Sequence, residues 1–521
     1  MSRSFRAAAV LSLPLAAAGY YTWKIDALSD TLGKPGSVLL APADLVWIAI
    51  GGVLLFGALY GVLSRCRPFS LTSHGDGSWP LWGAALGLVI VWLPFLAALY
   101  PSPGMNDTVY MMDNPLRAVI QFPWLPSAVY GHGSEFWAKA FGSREGFLCL
   151  LAVGQMALMG GALAFVCRLV GERFGARAGW GLWAYFAFFP MVGNYAIASV
   201  RDPLYSLALL GWTVVLWQGA DGKQPGWMFL SVLFLVPPLM RSNGLLVVFC
   251  LGAAAAVMTK QYLRYGVLFV LCALIAVLPG KAILSHIGEV PLFQEAAAVP
   301  LQQMGRVLVT EGTMDEESRT LLDGLLPEEA WKNAYSPYTV DFVKWHDEFR
   351  RGTLNEEKQE FLRAWIRTGV ENPRLYLEGW MTETYALWNL DPLEHQVQSR
   401  FGWALTDENT KAMKPSDNDA MAVGDLPMPA RLKSALALWS FEGSRFLGAG
   451  MSLWITLFLA AVLYVERRSS YILMALPLWL NGATLLAATP ASAVFRYSFG
   501  FVLILPLFVM VTVFGEKKER Y

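Results

Sequence analysis

Three short turns in this chain carry arginine among other polar residues. One reads Val200-Arg201-Asp202-Pro203, the next Arg241-Ser242-Asn243-Gly244, and the last runs from Pro490 to Arg496-Tyr497. A guanidinium presents a planar fork of donors that matches a phosphate group. Three such forks converging at one level would hold an anionic head group. The alternative is that each arginine pairs with a nearby carboxylate, and Asp202 next to Arg201 invites that reading. A further segment, Asn106-Asp107-Thr108, places a carboxylate shortly after an apolar stretch. Asp107 there suits a general base that takes the proton of an incoming hydroxyl, or a cap for a helix starting at Thr108. Asp113 offers the same chemistry nearby. His132, in Tyr130-Gly131-His132-Gly133-Ser134, is either a polar site residue or a structural histidine.

The elements that must position these residues are apolar. Of 521 residues, 55% are hydrophobic and 15% charged, against roughly 25% charged in a soluble domain. Mean hydropathy is +0.43. Such a chain cannot cover a soluble surface, so it is read as a multi-pass membrane protein. A disordered chain, a coiled coil, a disulfide scaffold and a soluble nucleic-acid binder are excluded. Stretches close to the ~20 apolar residues that cross a bilayer recur. They lie near residues 7–23, 44–64, 80–100, 146–168, 178–199, 203–219, 226–240, 244–259, 265–284, 445–465, 470–489 and 498–515, about twelve in all.

Lysine and arginine in short loops set the orientation. Arg3 and Arg6, Arg65 and Arg67, Arg168 to Arg177, Lys260 and Arg264, Arg467 and Arg468, and Lys517 to Arg520 all fall on one side if both termini are cytoplasmic. The first span is read as a retained helix, because Tyr20, Tyr21 and Trp23 suit an interfacial anchor, with a cleaved signal peptide as the alternative. Cys66, Cys149, Cys167, Cys250 and Cys272 all lie in spans or at their cytoplasmic edge. They form neither a disulfide framework nor a metal-type spacing.

This orientation makes the three arginine turns and the Asp107 loop external. It divides the chain into two N-terminal helices (1–79), a membrane core (80–284) with a first outer loop (100–145), an outer insertion (285–444) and C-terminal membrane helices (445–521). The insertion holds about 26 Asp/Glu against about 15 Lys/Arg, so the chain's formal neutrality hides an acidic outer segment and a basic remainder. Leu354–Thr368 reads as an amphipathic helix with Asn355 as N-cap and Gly369 as stop. Asn372-Pro373 reads as a fresh helix start, residues 299–326 as a helical region, and 406–429 as a surface loop. Gln302, Gln303 and Arg306 either contact substrate hydroxyls or form a polar helix face. Trp380 and Trp388 belong to an interfacial belt or stack on a substrate ring.

Taken in order, several segments resemble membrane glycosyltransferases of the GT-C fold. More closely, the chain resembles a bacterial multi-pass family assigned to that fold. The segments are the Asn106-Asp107-Thr108 loop, Arg201-Asp202-Pro203-Leu204-Tyr205, Arg241-Ser242-Asn243-Gly244, Pro300-Leu301-Gln302-Gln303-Met304-Gly305-Arg306, Asn372-Pro373-Arg374-Leu375-Tyr376 and Phe495-Arg496-Tyr497. The likeness runs from about residue 100 to 515 and leaves out the first two spans. It implies an all-α polytopic bundle with an α-helical extracytoplasmic insertion, in a bacterial plasma membrane. It implies a donor sugar on a polyprenyl phosphate or pyrophosphate, with a glycan, lipid or protein acceptor and membrane lipids as surroundings; no nucleic-acid partner and no cofactor are expected, and a metal is not indicated, although the outer carboxylates could hold one. Asp107 then matches the family's catalytic base and Asp202 its second outer acidic residue. Arg201, Arg241, Asn243, Arg496, Tyr497, Gln302, Gln303, Arg306 and His132 are the candidate substrate contacts. A transporter, or a flippase or polymerase of lipid-linked glycans, is the rival expectation.

Overall fold

The computed structural model describes residues 1–67, 79–102, 106–390, 428–444, 448–488 and 495–514. Among them every named element is helical, and the sole β feature is an isolated bridge between Ser336 and Thr339. Six helical segments are long and apolar enough to cross a membrane: Asp44–Arg65, Leu81–Ala98, Glu145–Phe174, Tyr262–Ile287, Ser469–Ala488 and Arg496–Val513. Three shorter apolar helices accompany them, Trp227–Met240, Gly244–Thr259 and Ala449–Val465. The chain is an all-helical membrane protein.

The helices are α1 (Arg3–Ala27), α2 (Asp44–Arg65), α3 (Leu81–Ala98), α4 (Asn106–Asp113), α5 (Trp124–Phe141), α6 (Glu145–Phe174), α7 (Ala176–Phe188), α8 (Pro190–Ala196), α9 (Asp202–Ala220), α10 (Trp227–Met240), α11 (Gly244–Thr259) and α12 (Tyr262–Ile287). Eight shorter ones follow: α13 (Phe293–Ala296), α14 (Ala298–Val309), α15 (Glu316–Leu325), α16 (Glu328–Ala334), α17 (Asp341–Lys344), α18 (Arg351–Glu356), α19 (Lys358–Glu371) and α20 (Pro373–Glu383). The last four are α21 (Ala430–Ser444), α22 (Ala449–Val465), α23 (Leu476–Ala488) and α24 (Phe499–Val513).

The main core lies among α3, α6 to α12 and α22 to α24, around Trp92, Leu182, Trp212, Phe234 and Phe508. One apolar stretch does not make one helix. At Phe189 the chain leaves helical geometry, and Pro190 starts α8. Proline removes a donor and clashes with the preceding turn, so it opens a helix more readily than it continues one.

Helices α13 to α20 form a unit with a core of its own, built on Leu301, Met304, Leu322, Trp331, Phe349 and Phe361. The region 299–326 is helical as expected, split into α14 and α15. Asn372 stands at the N-cap of α20 with Pro373 at its first position. The Asn372 amide, however, bonds to the carbonyls of Thr313 and Thr368, tying three elements together. The expected helix over 354–368 breaks at Glu357, and α19 runs past Gly369 to Glu371. Asn355 accepts from the Phe293 amide at 2.8 Å instead of capping. Tertiary demand for that acceptor overrides the local signal. The expected loop at 406–429 falls almost wholly outside the described residues.

The α1–α2 hairpin is tied to this unit. Glu378 on α20 accepts the backbone N–H groups of Leu39 and Leu40, in the loop between α1 and α2, at 3.1 and 2.9 Å. Tyr385 donates to Asp26 at 2.9 Å. Tyr20 and Lys24 on α1 both donate to Asp44 on α2. The Trp380 indole donates to the Leu486 carbonyl of α23, and Trp388 accepts through its carbonyl from Trp454 of α22. Both tryptophans therefore fasten the unit to the apolar bundle.

Candidate functional site

Asp107 lies in the first turn of α4, one residue past its start at Asn106. Hydroxyls on either side of it are tied to the segment before α9. Ser102 donates to the Ile197 carbonyl at 2.7 Å, and Thr108 donates to the Ser199 carbonyl at 2.6 Å. Where α8 ends, its carbonyls lose their helical partners. Gln155 on α6 supplies donors, its amide nitrogen lying 2.9–3.0 Å from the oxygens of Tyr195, Ala196 and Ala198. These polar groups fix the segment before α9 against Ser102 and Thr108, which sets Arg201 beside Asp107.

Arg241 ends α10 in extended backbone. Gly244 makes that turn possible, since a Cβ there would lie 2.2 Å from the Pro237 carbonyl oxygen. Arg496 sits in a single 3-10 turn, Phe495–Ser498, before α24. Helix α23 aligns the two turns. Its Asn481 accepts from the Tyr205 hydroxyl and donates to the Tyr497 carbonyl, while its Thr484 accepts from the Asn243 amide.

The charged groups pair crosswise. Asp107 Oδ2 accepts from Arg496 at 2.8 Å and from Arg201 at 3.2 Å. Asp202 pairs with Arg241 and lies 3.8 Å from Arg496 Nε. Arg201 therefore takes a partner from another loop, and the neighbour pairing suggested by the sequence is replaced. Asp202 is buried in the first turn of α9, where a negative charge suits the helix dipole. Arg201 stacks over Phe122 at 4.4 Å, and Arg241 over Tyr497 at 4.0 Å.

A cavity of about 490 Å³ opens on this cluster. Asp107, Arg201, Arg241, Asn243, Arg496 and Tyr497 all line it, although Asp107 and Arg496 are 389 residues apart. The volume falls in the usual range for small-molecule sites. A quarter of the Asp107 side chain remains accessible. Burial pushes its pKa up, but Arg496 and Arg201 outweigh burial and hold the carboxyl below the usual carboxylate range. The group is ionised and able to accept a proton, yet a weak base while both arginines hold it.

The remaining candidates lie elsewhere. Asp202 sits behind Arg241 rather than on the cavity wall. Asp113 is an exposed partner of Arg144. His132 is exposed on α5, 3.8 Å from Glu135. The glycines beside it serve packing, because a Cβ at Gly131 would strike Pro115 and one at Gly133 would strike Phe147. Gln302, Gln303 and Arg306 are not brought to the cavity. Gln302 donates to the Ser336 and Pro337 carbonyls, and Gln303 bonds to Tyr376 and Trp365. Arg306 forms a fully buried pair with Glu378 at 2.8 Å.

The other cavity wall comes from the α13–α20 unit and was not singled out in the sequence. It includes Glu295, Asp341, Lys344 and Trp345. Lys344 lies 3.0 Å from Glu295 and 3.1 Å from Asp341. Burial works against its charge, but Asp341 and Glu295 more than offset that and raise its pKa. Lysine framed by Val343 and Trp345 was the available signal, and in an acidic segment it is an ordinary one. Nearby Glu383 is fully buried, and neither carboxyl oxygen has a hydrogen-bond partner. Burial raises its pKa well above the usual value, with Asp341 adding to the rise and Lys344 opposing it.

Among the described residues no three His, Cys, Asp or Glu side chains are grouped to hold a metal ion. No curated protein and no solved structure matches the chain. A sequence profile for a family of unknown function, DUF6020, matches residues 120–521. The match takes in the three arginine turns, Asn243, Tyr497 and the α13–α20 unit, and begins after Asp107. The chain belongs to that family, DUF6020.

Proposed function

We propose that this protein is a GT-C-type membrane glycosyltransferase. It moves a sugar from a polyprenyl-phosphate-type lipid donor to a cell-envelope acceptor, on the outer face of a bacterial plasma membrane. The observation that carries this reading is the single cavity in which Asp107 meets Arg201, Arg241 and Arg496. The proposed topology has about twelve spans, with α1, α7 to α8 and α9 adding to the apolar helices described above. Both termini are cytoplasmic, and the cavity and the α13–α20 unit lie outside.

In this reading the donor phosphate takes the arginine forks now occupied by Asp107. Released from them, Asp107 becomes a stronger base. The acceptor hydroxyl attacks the anomeric carbon while its proton passes to Asp107. The bond from that carbon to the phosphate oxygen breaks, and the phosphate leaves with the electron pair. Arg201, Arg241 and Arg496 stabilise the charge that develops there. A single displacement inverts the anomeric centre and calls for no metal or cofactor.

The test is transfer from polyprenyl-phosphate hexoses in membranes carrying Asp107→Asn. Activity should fall by about 10²-fold or more. Undiminished transfer at normal protein levels would remove Asp107 from the mechanism.

A further inference from the structure

The cavity has two walls of opposite charge. On one, Arg201, Arg241 and Arg496 stand against Asp107, with Asp202 behind them, so one positive charge is left over. On the other, Lys344 stands against Glu295 and Asp341, so one negative charge is left over. The lysine lies beneath, with 2% of its side chain exposed, while the carboxylates keep 30% and 38%. Trp345, 42% exposed, lines the same wall, with Lys344 and Arg351 lying 5.7 and 5.2 Å from the centre of its ring.

A ligand anchored by one phosphate on the arginine wall meets complementary charge. A ligand with a second phosphate directed at Glu295 and Asp341 meets like charge, and such juxtaposition is a strong discriminator. Ionised carboxylates accept hydrogen bonds and donate none, so what suits them is a group rich in O–H donors. The indole face of Trp345 suits the apolar face of a ring.

We propose that Glu295, Asp341 and Trp345 form a second subsite that fixes the substrate class as a lipid bearing a single phosphate. An uncharged, hydroxyl-bearing ring lies against this wall. The proposal rests on the phosphate reading of the arginine wall. It excludes diphosphate lipids, which that reading alone admits.

The experiment compares the binding of undecaprenol, undecaprenyl phosphate and undecaprenyl diphosphate to the full-length protein in nanodiscs. The monophosphate should bind at least about tenfold more tightly than the diphosphate. Glu295→Gln and Asp341→Asn should each narrow that ratio by strengthening diphosphate binding. Equal or tighter binding of the diphosphate by the unaltered protein overturns the subsite and leaves the arginine reading standing. If neither phosphate binds better than undecaprenol, the arginine reading falls and the subsite with it. The comparison on the unaltered protein does not depend on any variant folding.

Discussion

Arginine meets carboxylate in two places in this protein, with different results. In the α13–α20 unit, Arg306 and Glu378 close on each other with no exposed surface, and Glu378 spends its other oxygen on the Leu39 and Leu40 amides. At the cavity, Asp107 shares its Oδ2 between Arg201 and Arg496, and those guanidiniums line open space. The first arrangement is sealed from solvent, and the Arg306 Nε and Nη1 donors it leaves over face the protein interior. The second opens on the cavity. Composition of a pair therefore says little about its role, and what the remaining donors face says much.

Four measurements would sharpen or break this contrast. The largest effect is expected from Glu378→Ala, which leaves Arg306 charged and buried. Unfolding in detergent should become easier by about 3–5 kcal/mol, with undecaprenyl phosphate affinity unchanged in the folded fraction. A weakened affinity there would dissolve the distinction between the two pairs. Next, Arg496→Gln should lower that affinity by about 1.5–3 kcal/mol, the usual worth of a charge-assisted hydrogen bond. Unchanged donor binding would count against the phosphate role.

The third measurement probes Glu383, which is neutral in the folded protein because burial raises its pKa. The unfolded chain ionises this group near pH 4.3, so at higher pH the folded state holds more protons and stability falls as pH rises. Glu383→Gln removes that loss. Its melting temperature should match the parent near pH 4 and exceed it at pH 8, by the equivalent of about 1 kcal/mol or more. An equal offset at both pH values would mean that Glu383 is not protonated. The smallest effect is expected for His132→Ala. An exposed residue away from the cavity should change stability by less than about 0.5 kcal/mol and leave phosphate binding alone, whereas lost binding would return His132 to the site.

The helical class and the positions of the apolar segments were legible because bilayer-length apolar runs are a strong signal. The arginines at the cavity were legible because charge in a short turn between apolar helices requires an explanation. Their partners were not. Nothing in Val200-Arg201-Asp202 says that Arg201 looks to a residue 94 positions earlier. Gln302, Gln303 and Arg306 carry the polarity of a site, but they turn it to Ser336, Tyr376 and Glu378, which only the fold supplies. The second cavity wall stayed hidden because α13 and α17 are four residues each, too short for periodicity to reveal a face.

The hold of Glu378 on the hairpin loop spans 339 residues of chain, which turns a structural contact into a delay. At synthesis rates of about 5–20 residues per second, roughly 20–70 s separate the making of Leu39 from that of its partner. For that interval the hairpin loop must wait with its amides hydrated and its apolar side chains uncovered. The α1–α2 pair is thus made well before the residue that fixes its loop and must wait for it.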